Sequence, residues 1–505
     1  MLRHSATMIH ALRRVVSPVL AISALSLIVC AQAPRGAGLR AALDSIQANN
    51  IQADIEFIAC DEMGGRDTPS NGQRIAARFI SSRLKRMGIA PGTPNGYLHT
   101  YQLICRDLNL EGTSAQVIKA GRTIDFTFGT DYSFNSSGIA TKTTSGNVAF
   151  CGEVEAKELA GLDLVGKWAL CEDNGMRGPD RREAAKKAGA IGVLLAPGSK
   201  LTVERMAGRI RSDAASAQRP GVQFPEKRTQ ERDNMPYVTV AGPTLDRLLT
   251  LADPDLKPGA RPPVGSDLGV VFTDTRKENG VDGMVDVENV CGLWSGTDPE
   301  LSKEVIIISA HYDHVGTSAD GKVFNGADDN GSGTTGLLQL AEALTVHGPM
   351  RRSVMLIWVS GEEKGLLGSR AWCTADTLPE GHRAVCNLNI DMIGRNAPDK
   401  LLITPTQQRK KDYNGLTKLA ESLSALEGFP TLGSADQYWT RSDQVNFASY
   451  MKIPVAFLFS DVHEDYHKAT DDPDKIDYDK IRRVTRLVLR MIDGLQTDTL
   501  DLSAD

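Results

Sequence analysis

No Cys-x-x-Cys pair occurs anywhere in the 505 residues, although eight cysteines are present. A thiolate zinc site is therefore disfavoured. Aromatic residues make up only 6% of the chain, and no basic stripe with interleaved aromatics exists; with a net charge of -6, nucleic acid is excluded as an expected partner. There is no repeat and no low-complexity tract. Long apolar runs are missing too, apart from 19–30, which follows Arg3, Arg13 and Arg14 and is too short to span a bilayer. Residues 1–31 read as an export signal cleaved after Ala31, which predicts a periplasmic or extracellular protein with no membrane partner once the signal is removed. Val29 before Cys30 fits a lipoprotein box poorly. Cys30 leaves with the signal, and connectivity among the remaining cysteines cannot be read from spacing; Cys373 with Cys386 and Cys151 with Cys171 are the nearest neighbours.

What the chain does have is enough apolar residue (41%) and length for two or three domains. Residues 38–60 carry apolar side chains at helical spacing, and a second helix over 73–87, with Asn71 as its cap, ends at Gly88. A strand is expected over 97–105. From about 110 to 280 short strand-like runs dominate, at 146–151, 167–171, 191–196 and 237–240, with a helix over 182–188. Residues 202–234, dense in Arg, Glu and Gln, read as a long solvated excursion. The boundaries expected are an N-terminal part of the main domain at 38–110, a small β-rich insert at 111–283 and the main domain at 284–498. From 286 onward strands (305–310, 354–359, 384–390, 453–459) alternate with helices (333–347, 365–373, 412–427, 478–495). That order predicts an α/β fold, a mostly parallel mixed sheet with helices on both faces.

Chemistry concentrates where these strands stop. The run 306–310 leads into His311 and Asp313, 355–359 into Glu362 and Glu363, and 384–390 into Asp391; His467 follows 454–459, with His463 as its rival. Ligand sites of open α/β sheets lie outside the carboxyl ends of the strands. Alone, each residue has an ordinary reading: a loop histidine, a helix cap for Asp328 and Asp329 in NGADDNGSG, a charged helix start for the two glutamates. Caps and turns do not require His, Asp, Glu, Asp and His at consecutive strand ends. Imidazole mixed with carboxylate suits zinc in a hydrolytic role, with one neighbouring Glu left free to carry protons.

The order HxDH, GADDNGSG, GEExGLLGS, NxDMIG, YHxxxD resembles the two-zinc aminopeptidases, a superfamily that includes glutamate carboxypeptidase and glutaminyl cyclase. Residues 110–280 resemble a protease-associated domain through GKWALCEDN, KKAGAIGVLLA and MPYVTVAG, and FIACDEMGGRDTPSNGQRIAARFI resembles the lead-in helices of secreted members. The resemblance implies a cocatalytic pair of zinc ions bridged by Asp328, with His311 and Asp391 completing one ligand set and Glu363 and His467 the other. It further implies Glu362 as general base, Asp313 supporting His311, and a cis peptide between Asp328 and Asp329. The implied substrates are peptides with a free N-terminus. Two departures stand out: members often show SDH where this chain has Ser442-Asp443-Gln444, and an oxyanion-steadying Tyr is replaced by Trp439, with Tyr438 beside it. A carboxypeptidase using Arg441 or Arg395, a glutaminyl-cyclase-like acyltransferase and a receptor-like homologue are the competing readings. Preferred side chain, metal identity and oligomeric state are not encoded in these motifs.

Overall fold

The computed structural model describes residues 37–106, 108–134, 141–217, 221–225, 235–278, 284–318 and 320–503. The expected signal at 1–31 lies outside them. No described helix is long and apolar enough to cross a membrane.

The centre of the molecule is a ten-stranded mixed sheet. Its middle is four parallel neighbours, Val455–Phe459, Arg383–Asp391, Glu304–His311 and Ser353–Val359, so all four carboxyl ends open on one edge. Antiparallel strands Met284–Trp294 and Leu98–Arg106 extend one flank. Strands buried on both faces need near-continuous apolar sequence. Ser353–Val359 and most of Glu304–His311 meet that condition, and both are buried throughout their apolar stretches. Helices Gly333–His347 and Tyr478–Gly494 pack on one face with the N-terminal helices, and Trp358 Nε1 donates to the Thr334 carbonyl across that interface at 3.0 Å. Trp372 and Phe447 lead the smaller cluster on the opposite face.

A second, eight-stranded sheet is built within Ser114–Arg276 and has its own core around Trp168, Phe272 and Phe134. Its excursion returns to the first sheet: Gly221–Gln223 pairs antiparallel with the end of Leu98–Arg106.

Four sequence expectations need correction. Residues 203–217 are not a solvated loop but a helix, Val203–Ala217, burying Met206, Ile210, Ala214 and Ala217. The single helix expected over 38–60 is two, Ala37–Ser45 and Ala48–Ile58, with Gln47 extended between them. The cap of Asn71–Met87 is Ser70, whose hydroxyl accepts from the Gln73 amide at 3.1 Å; Asn71 is already helical. Cys60, Cys105, Cys151, Cys171, Cys291, Cys373 and Cys386 are all thiols, so neither suggested pair is bridged.

Candidate metal centre

His311 and Asp391 are the last residues of adjacent parallel strands, which brings His311 Nε2 to 3.2 Å from Asp391 Oδ1. Glu362 and Glu363 follow the next strand across a turn at Gly361 (φ 68°), where a Cβ would press on Tyr101 and Leu367. His467 arrives on the loop after Val455–Phe459, and its Nε2 lies 3.1 Å from both Asp329 Oδ2 and Glu363 Oε2. Asp329 is the common member. Its Oδ1 is 3.5 Å from His311 Nε2, and its Oδ2 faces His467 and His314.

The expected bridge, Asp328, is therefore displaced by its neighbour. The backbone enters the loop through Gly326 in the left-handed region (φ 59°) and directs the two side chains apart. Asp328 turns away, accepting from the Gly394 amide at 2.7 Å, with His463 Nε2 3.3 Å from its other oxygen. His463, the rival of His467, thus serves Asp328. The cis peptide joins Asp329 to Asn330, not Asp328 to Asp329. Asp329, expected only as a helix cap and as one side of the cis peptide, occupies its middle.

The surroundings fix these donors. Asp391 Oδ2 accepts from Ser442 Oγ at 2.8 Å, and Asn389 Nδ2 donates to that same hydroxyl and to Gln444 Oε1. Gln444 in the Ser-Asp-Gln segment is thus a buried structural amide. Asp313 reaches His311 Nδ1 mainly through its main-chain oxygen, at 3.2 Å. Its carboxylate accepts from Thr68 Oγ1 and the Glu362 amide, so it also holds the glutamate turn. Asp471 accepts from the Asp328 and Asp329 amides. Tyr438 donates its hydroxyl to Asp461 at 3.0 Å, and Trp439 lies under Arg409; the tyrosine stacked on the cluster is Tyr466, 3.9 Å from the His467 ring.

Two residues were not legible beforehand. Arg66 is fully buried, and its guanidinium donates to the carbonyls of Tyr312, Ile58, Asn325 and Gly326. It clamps the His311 and Asp329 loops together, yet in sequence it is one arginine in a glycine-rich loop. His314 is also fully buried, with Nδ1 3.0 Å from Glu363 Oε1; in sequence it is the last residue of HYDH, and nothing in that motif marks it apart from His311.

So many buried carboxylates in contact need cations. His311, Asp329 and Asp391 form one set whose donor atoms could hold an ion, and His314, Asp329 and Glu363 another. Asp329 Oδ2, Glu363 Oε1 and both His314 nitrogens lack hydrogen-bond partners. Orphaned, convergent N and O donors without thiolate fit zinc. The adjacent glutamates are driven apart. Burial, reinforced by Glu363, Asp443 and Asp391, pushes Glu362 well above the usual carboxylate range. Glu363 resists burial and falls well below it because the imidazoles of His314 and His467 face it.

The sheet is parallel only at its centre, not mostly parallel as the strand–helix alternation predicted, and this mixed fold is similar to that of solved aminopeptidases. The model of Peptidase family M28 matches residues 289–492 of this chain. It superposes on an aminopeptidase from Aneurinibacillus sp. strain AM-1 with a TM-score of 0.58 and 18% identity, covering 92% of this chain and 98% of that one. A zinc aminopeptidase from Bacillus subtilis gives 0.55 and 18%, covering 91% and 98%. In sequence, a probable leucine aminopeptidase of Arthroderma otae is 28% identical over 38% of this chain and 54% of its own length. Aminopeptidase YwaD of Bacillus subtilis is 28% identical over 37% and 40%. The chain thus spans about half the length of the curated relatives it matches.

Proposed function

We propose that this chain is an exported metallo-aminopeptidase that removes the N-terminal residue from peptides, with Asp329 common to the two sets of residues that would hold zinc and Glu362 as general base. His311 and Asp391 would hold one ion, Glu363 and His467 the other. The observation that carries this reading is geometric: two sets of buried donors, His311–Asp329–Asp391 and His314–Asp329–Glu363, share Asp329 at the strand ends, and Glu362 belongs to neither.

When bound, two ions at this position supply charge that polarises a peptide carbonyl and acidifies water. Asp329 fixes the separation of the two donor sets, and Ser442 keeps Asp391 in register with His311. Glu362 lies outside both donor sets, so its carboxylate takes the proton of the attacking water and returns it to the departing amine nitrogen. Substrate enters past His467, which keeps 37% of its side chain exposed while the other donors are nearly closed off. The eight-stranded module is read as a protease-associated domain that narrows this approach to peptides.

The test is a panel of aminoacyl anilides with free and N-acetylated amines. Cleavage of the free series alone supports the proposal; equal cleavage of both rejects exopeptidase action, and cyclisation of an N-terminal Gln peptide without hydrolysis supports the cyclase instead. A carboxypeptidase reading retains one observation, exposed Arg441, whose Nη2 donates to Tyr466 beside His467 at 3.3 Å. Arg395 is occupied by Asp465. Faster cleavage of C-terminal acids than of amides would favour that reading.

A further inference from the structure

The ligand sets expected from the motifs leave His314 without a task. Its ring is 0% exposed and sits between the two loops that form the centre. Nδ1 is 3.0 Å from Glu363 Oε1 and 3.7 Å from Asp329 Oδ2. The ring is 5.7 Å from that of His467, edge to face. Despite this proximity neither ring nitrogen meets hydrogen-bond geometry, and Glu363 Oε1 and Asp329 Oδ2 likewise approach imidazoles without hydrogen-bond alignment. A buried imidazole whose polar contacts are not aligned as hydrogen bonds is costly. Near approach without hydrogen-bond alignment is the arrangement expected of donors that share a cation rather than a proton. The fold reserves the space: Gly326 packs so closely on His314 that a Cβ there would lie 2.5 Å from the ring's Cγ.

We infer that His314 is a protein ligand of the second ion, joining Asp329, Glu363 and His467. The inference rests on the two-ion reading above. It makes the two positions unequal. Zinc held by four protein donors resembles a closed site, whereas three donors leave a position open. The His311–Asp391–Asp329 position is therefore the open, exchangeable one, and the His314 position retains its ion and anchors Asp329 and Glu363.

The experiment uses the full mature chain loaded with zinc and then dialysed against a graded chelator. The wild type is expected to lose one equivalent early and hold the second at about 10- to 100-fold higher chelator strength. His314→Ala and His314→Gln should both abolish that difference. The Gln variant can still donate to Glu363, so a wild-type release profile in His314→Gln shows that only a hydrogen bond was needed and overturns the assignment. X-ray absorption of the wild type carrying one equivalent needs no variant and guards against misfolding. Two imidazoles per zinc support His314 as a ligand; one overturns it while leaving the two-ion reading standing. A wild type that binds no zinc removes both.

Discussion

Adjacent residues of one type can have opposite tasks, and this centre contains two such pairs. Asp328 and Asp329 carry the same cap and turn signals, so spacing could not separate them; the left-handed Gly326 decides which faces the imidazoles. Asp329→Asn should cost both ions at micromolar zinc, whereas Asp328→Asn should keep them and lower activity through the loop it ties to Gly394; metal analysis after gel filtration checks both. The histidines also make metal uptake depend on pH. Burial disfavours a charged His467 ring, but Asp329 and Glu363 outweigh it and raise the ring to about 10 without metal. His311 is likewise raised by Asp391 and Glu362 against burial. The His467 ring is then protonated at pH 7 and must lose its proton to bind zinc. Affinity should fall about tenfold per pH unit for each proton displaced, and calorimetry in buffers of different ionisation enthalpy should count at least one. His99 behaves in the opposite sense. Burial lowers it from 6.5 to about 4, and its Nδ1 faces the Asn289 amide at 3.1 Å. With the folded value depressed, its contribution is present above pH 6.5 and is lost as pH falls toward 4. The loss is at most about 3 kcal/mol, reduced by partial exposure of the ring. Urea melts of wild type and His99→Gln should converge between pH 7 and 5.

Strands and helices were the most legible scale, because apolar runs at 305–310 and 354–359 have no other home than a covered parallel sheet. The helix Val203–Ala217 was hidden because its buried stripe uses small alanines at two of four positions among many charges. The short strand Gly221–Gln223 was hidden because only its partner makes it a strand. Arg66 was illegible for the same reason: what it does is defined by carbonyls more than 240 residues away, besides Ile58. Removing it leaves those acceptors buried and unpaired. Arg66→Ala should destabilise by roughly 3–5 kcal/mol in chemical unfolding, and Arg66→Lys should recover only part, since an ammonium lacks the planar fork.

For the whole molecule, the metal centre joins elements from both ends of the chain. Thr68 reaches Asp313, Asp313 reaches Glu362, and Asp471 holds the Asp329 loop. Binding of ions to this folded arrangement stabilises it by mass action, about 4 kcal/mol at a thousandfold excess over Kd. Chelation should therefore lower the melting temperature by several degrees, with zinc restoring it. The central claim is that Glu362 moves protons rather than holding metal, and Glu362→Gln tests it most directly. The account predicts two equivalents of zinc as in the wild type, with kcat on free aminoacyl anilides reduced about 100- to 10,000-fold. Turnover within tenfold of wild type, or loss of an ion, would contradict it.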